Sequence, residues 1–123
     1  MILTEDFGSG DYRINAYEPG IITINKKEYT HSLIISAHQL LNDWRPQNLA
    51  ELNAEDLQPL VDLAPTVILL GTGKRFILPD NKIFASLAEK GIGIEYMDTG
   101  AACRTFMALM SEGRNVVAAL LID

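Results

Sequence analysis

Two short segments of this sequence place chemistry-bearing residues in an order suited to holding a ligand. They are Gly71-Thr72-Gly73-Lys74-Arg75 and Met97-Asp98-Thr99-Gly100-Ala101-Ala102-Cys103-Arg104. Glycine turns beside cations let backbone N–H groups and side chains converge on an anion. The named nucleotide motifs do not fit, however. A Walker loop requires glycine at position 68 and serine or threonine at 75, where Ile68 and Arg75 stand. A Rossmann fingerprint requires glycine at 76, which is Phe76. The plainer reading of Gly71 to Arg75 is a strand-exit turn that needs glycine for backbone freedom, with solvated basic residues beside it.

In the second segment, Cys103 near a helix start is a conceivable nucleophile, because a helix N-terminus lowers thiol pKa. At 100° per residue it instead shares an apolar arc with Ala102, Phe106, Met107, Leu109 and Met110, which favours core packing. Asp98 is a candidate general base or cation ligand. The simpler account has Thr99 capping the helix while Asp98 complements its dipole. Arg104 lies on the polar face, open to an anionic ligand, a carboxylate partner or water. His31 and His38 have no cysteine or carboxylate at metal-ligand spacing, so no metal site is expected. Trp44 reads as a partner anchor or as core.

The elements that would position these residues follow from periodicity. Gly20–Asn25 and Glu28–Ile35 flank Lys26-Lys27 as a β-hairpin, preceded by a strand over Ile14–Tyr17. Gln39–Trp44 reads as a short strand ended before Pro46. A helix starts at Asn53 and is kinked or split by Pro59. Val67–Leu70 is a continuous apolar run of the kind buried on both faces of a parallel sheet. A short Phe76-Ile77-Leu78 piece follows it. A helix from about Asp80 then buries Ile83, Phe84, Leu87 and Ala88 and closes at Gly91. Ile92–Met97 is a strand, Thr99–Glu112 a helix closed by Gly113, and Val116–Ile122 a last buried strand. The β-α-β-α-β order implies parallel strands with right-handed crossovers. The Gly71 and Met97 loops should then open on one sheet edge, where ligands of open α/β sheets gather.

Composition sets the outer bounds. The 123 residues suit one domain, 1–123, and the 48% hydrophobic content argues for a real core. The net charge of −6, with scattered Lys and Arg, lacks the basic stripe that nucleic-acid binding needs. Cys103 alone cannot form an intrachain disulfide, which fits a reducing, cytoplasmic setting. Met1 to Asp6 turns acidic at once, unlike a signal peptide. The longest apolar run is Val116–Ile122, far short of the roughly 20 residues that cross a bilayer, so no membrane insertion is expected.

With Gly71-Thr72-Gly73, the run Met97 to Phe106, Glu112-Gly113-Arg114 and Val117-Ala118-Ala119-Leu120-Leu121 in view, the chain resembles the Mth-domain family. That family includes the adipogenesis-associated Mth-domain protein and mitochondrial complex I assembly factor three. Tyr17–Gly20, Tyr29, Ser32, Leu33 and Trp44 also fit it, whereas Met107 stands where a polar residue is expected. The resemblance implies an α/β fold of three layers, with a mixed central sheet, a C-terminal β-α-β-α-β unit and an N-terminal β-hairpin region. It carries over a loop cluster of Gly71, Thr72, Gly73, Asp98, Thr99, Cys103 and Arg104 but no catalytic residues. The expectation is a non-catalytic interaction or assembly factor without cofactor, a monomer or small homo-oligomer that holds a protein partner at or near the strand-end edge. The alternative is a binder of small anions or nucleotides, or an enzyme acting on them, with Lys74, Arg75 and Arg104 at that edge.

Overall fold

The computed structural model describes residues 10–123. The acidic Met1 to Asp6 start lies outside them. Among the described residues, eight strands form two sheets in a mixed α/β architecture. Strands β1 (Ile14–Glu18), β2 (Ile21–Ile24) and β3 (Lys27–Tyr29) make an antiparallel sheet in that order. The larger sheet contains β4 (Leu33–Ile35), β5 (Leu40–Leu41), β6 (Val67–Gly71), β7 (Gly93–Met97) and β8 (Val116–Leu120). Its order is β5-β4-β8-β6-β7, with β8-β6-β7 parallel and the β4 pairings antiparallel.

Alternation along the central strands defines the layers. Val116, Ala118, Leu120 and Leu69 face one core, with helix α3 (Thr99–Ser111) and the small sheet packed over it. Val117, Ala119, Leu121, Ile68 and Leu70 face a second core with Trp44, Leu60, Phe84 and Leu87. Burial on both faces explains why β6 and β8 are written as unbroken apolar runs. Edge strand β7 alternates between exposed and half-buried residues.

Several local expectations are corrected. The two-residue hairpin turn is Asn25-Lys26, both with positive φ (51° and 70°), rather than Lys26-Lys27. Positive φ at both positions matches the right-handed twist of the arms, and Asn accepts it readily. The second arm is not continuous. It stops at Tyr29, and Leu33–Ile35 joins the larger sheet, where its three side chains are all buried. Asn53 does start a helix, through a reciprocal cap in which its side chain takes N–H bonds while Asp56 takes the Asn53 N–H. The helix is a 3-10 turn over Ala54–Leu57 followed by α1 (Gln58–Asp62). Pro59 falls in the first turn of α1, where its missing N–H is no loss. Likewise Asp80 caps a 3-10 turn that leads into α2 (Ala85–Glu89). Phe84 and Leu87 are buried there, but Ala88 is exposed.

Candidate functional site

The parallel registers Gly71↔Met97 and Gly71↔Leu120 bring the three strand ends to one edge. The loops that leave it are bonded together. Thr72 N–H donates to the Met97 carbonyl at 2.8 Å, and Thr99 N–H to the Gly73 carbonyl at 2.9 Å. The Thr99 hydroxyl accepts from Gly73 N–H and donates to the Leu121 carbonyl, each at 2.8 Å. Leu121 N–H returns to the Gly71 carbonyl at 3.0 Å. Gly73 has φ of +101°, and a Cβ there would sit 1.9 Å from the Asp123 carbonyl oxygen, so only glycine fits. Gly71, Thr72, Gly73 and Thr99 are all buried. These donors and acceptors thus serve the chain itself, in a seam that joins β6, α3 and the residues after β8.

Capping roles at this seam differ from the expectation. Asp98, not Thr99, is the N-cap of α3, its carboxylate accepting from Ala101 N–H at 2.8 Å. The shorter side chain one residue on is thereby released to close the seam. The structure brings Gly71, Thr72, Gly73, Asp98 and Thr99 together. It does not gather the cations with them, since Lys74 and Arg75 extend into solvent and Arg104 faces a groove against β1.

Beyond the seam the chain changes character. The Thr72 hydroxyl donates to the Arg75 carbonyl at 2.7 Å and accepts from Ile77 N–H at 3.1 Å, which curls Lys74–Leu78 into an outward loop. Phe76, Ile77 and Leu78 are 54%, 50% and 71% exposed. Their apolar sequence suggested a structural piece. Without regular partners they form a solvent-facing patch beside Lys74 and Arg75.

The groove on the α3 side has a volume of about 490 Å³. Ile14, Asn15, Ala16 and Tyr17 form one wall, and Gly100, Cys103, Arg104 and Met107 the other. An added Cβ on Gly100 would meet the Tyr17 ring at 3.2 Å, so this glycine lets the ring lie against the helix. Met107 sulfur accepts the Ile14 N–H at 3.3 Å, giving this position a polar contact even with methionine there. Cys103 is 4% exposed. Burial pushes its thiol up to about 12, with Arg104 pulling down and Asp98 adding to the rise. Such a thiol is almost wholly protonated at neutral pH and a poor nucleophile. Tyr17 is also raised, by burial and by the proximity of Cys103 and Asp98. Its hydroxyl is buried with no hydrogen-bond partner among the described residues. Sequence reasoning missed the β1 wall because it lies more than 80 positions from α3 in the chain.

Elsewhere, Trp44 is core at 5% exposure, its indole N–H donating to the Asp56 carbonyl at 3.0 Å. Arg45 bonds both Asp56 carboxylate oxygens, at 3.0 and 2.7 Å, and the Glu51 carbonyl. Burial raises the Asp56 pKa, but the Arg45 bond and the Asn53 N–H outweigh it and hold the carboxyl below its usual range. His38 pairs with Asp11 at 2.9 Å on the surface. Among the described residues no group of three or more His, Cys, Asp or Glu is placed to hold a metal.

Fold and site together define a three-layer α/β domain with its strand-end edge bonded shut. The chain belongs to the family described as a protein of unknown function (DUF498/DUF598), which it matches over residues 14–121. It is 31% identical over 117 residues to the 13 kDa major membrane protein of Francisella tularensis subsp. holarctica (strain LVS), covering 94% of this chain and 95% of that protein. It is 35% identical over 80 residues to NADH dehydrogenase [ubiquinone] 1 alpha subcomplex assembly factor 3 of Xenopus tropicalis. That match covers 63% of this chain and 44% of the frog protein, less than half its length. A solution structure of a Bordetella pertussis protein, described as a Mth938-like domain, superposes with a TM-score of 0.83 at 32% identity, covering 100% of this chain and 93% of that one. Among the described residues no helix is long and apolar enough to cross a membrane.

Proposed function

We propose that this protein is a non-catalytic interaction or assembly factor that grips a protein partner through the Lys74–Leu78 loop beside the strand-end edge. The observation that carries this reading is the run of three large apolar side chains, each at least half exposed, at Phe76, Ile77 and Leu78. Scattered apolar residues on a surface need no explanation, but a contiguous patch does. Apolar anchors beside an arginine are the usual composition of an interface core, and Arg75 supplies that cation. The assembly-factor name of the frog relative supports an assembly role, by extension one in respiratory-complex assembly. A cytoplasmic setting accords with the buried, unpaired Cys103 thiol.

The test is affinity capture from the native host with wild type, the Phe76→Asp/Leu78→Asp double variant and Arg104→Glu. Specific partners should vanish with the double variant and persist with Arg104→Glu. Retention of every partner by the double variant would overturn the loop assignment. Native gels of respiratory complexes from cells lacking the protein would test the narrower role, which predicts accumulated assembly intermediates. A nucleotide or small-anion site at the seam has less support, because Gly73 N–H and the Thr99 hydroxyl already have partners within the chain.

A further inference from the structure

The groove between β1 and α3 lies outside the proposed partner loop and has a different chemistry. Its volume of about 490 Å³ falls within the range of small-molecule sites. Ile14 and Met107 give it an apolar stretch, and the buried Cys103 lies in the helical wall. The Asn15 side-chain oxygen is already engaged by Lys26 N–H at 2.7 Å, and Met107 sulfur by Ile14 N–H. Arg104 is the charged side chain of the lining, exposed and without an ion pair among the described residues. The neighbouring Asp98 carboxylate is turned to capping α3. Tyr17, in the opposite wall, holds a buried hydroxyl without a hydrogen-bond partner among the described residues. Buried polar groups are nearly always paired, so this hydroxyl is a donor not yet engaged, set behind the groove surface. Among the described residues, an unpaired cation, an unengaged donor and an apolar stretch at this groove call for a ligand with one anionic oxygen-bearing head and a short hydrocarbon tail.

We propose that the β1–α3 groove binds a small amphipathic monocarboxylate, its head on the Arg104 guanidinium and toward Tyr17, its tail across Met107 and Ile14. Arginine suits the head because its planar fork matches a carboxylate. Gly100 is part of the design, since it lets the Tyr17 wall approach the helix.

Titration of the isotopically labelled full chain with octanoate, followed by amide NMR, tests the assignment, with octylamine and acetate as controls. Octanoate should shift Ala16, Tyr17, Gly100, Cys103 and Met107 saturably. Octylamine should leave them in place, and acetate should bind more weakly for want of a tail. Arg104→Gln, at an exposed position, should keep the fold and weaken octanoate by about tenfold, the loss expected of one charge-assisted hydrogen bond. Met107→Trp should fill the groove and abolish the shifts. Equal shifts with octylamine, no saturation, or shifts confined to Phe76–Leu78 would overturn the proposal. So would unchanged affinity in Arg104→Gln. Partner capture is read with the loop variants Phe76→Asp/Leu78→Asp and the groove with Arg104→Gln and Met107→Trp, so the two readings fail separately.

Discussion

Gly71–Gly73, at the end of β6, and Lys74–Leu78 follow one another directly, yet the chain uses them in opposite ways. In the first, backbone and side-chain groups are buried and bonded to α3 and to the residues after β8. In the second, three apolar side chains are half or more exposed, and the loop is bonded at its root through the Thr72 hydroxyl. A strand end in an α/β sheet is the customary place for a ligand. Here that place is taken up with joining the molecule to itself, and the recognition surface proposed above lies a few residues outward. Substitutions in the two regions should therefore separate stability from binding.

The largest effect belongs to Gly73→Ala. A methyl group there overlaps the Asp123 carbonyl and meets a positive φ, so a loss of about 3 kcal/mol or more is expected in denaturant unfolding. A near-neutral result would show that the residues after β8 yield easily and that the seam is not tight. Thr99→Val keeps the shape but leaves Gly73 N–H and the Leu121 carbonyl unpaired inside, which should cost about 2–4 kcal/mol.

Asp56 gives the comparison a pH handle. Its carboxyl is depressed in the folded protein, so its contribution is fully present above its unfolded pKa and lost as pH falls through the lower folded value. Acid unfolding should therefore deepen below about pH 4, and Asp56→Asn should remove that component at a cost of about 1–2 kcal/mol at neutral pH. Thermal melts of both proteins from pH 7 to pH 2 would show it, and parallel curves would contradict it. The smallest stability effect belongs to Phe76→Asp and Leu78→Asp, expected within about 0.5 kcal/mol of wild type because the side chains are already wet. A large loss there would make the loop structural and erase the contrast.

How much of this was legible beforehand depended on the range of the interactions. The unbroken run Val67–Leu70, the apolar arc through Phe106 and Met110, and the β-α-β-α-β order are local patterns, and the elements stand where those patterns lie. The break between Tyr29 and Leu33 was hidden, because Lys27–Tyr29 and Leu33–Ile35 lie almost end to end in the sequence and only their tertiary pairing, with β2 and with β8, separates them. Thr99 looked like a cap because threonine is a good one. Its actual partners come from Gly73 and Leu121, distant segments that helix rules do not see. The β1 wall opposite Arg104 was illegible for the same reason. The apolar residues 76–78 misled in the other direction, since hydrophobicity alone does not say which side of the surface a residue will occupy.

The sheet order carries a consequence for biosynthesis. β8 comes last of the larger sheet's strands along the chain but lies at its centre, between β4 and β6. Until residues 116–120 leave the ribosome, those two neighbours have nothing to bridge them, while the β1–β3 meander is already complete. Nascent chains stalled before Val116 should thus hold an early meander beside unpaired strand edges, the kind of species that chaperones protect.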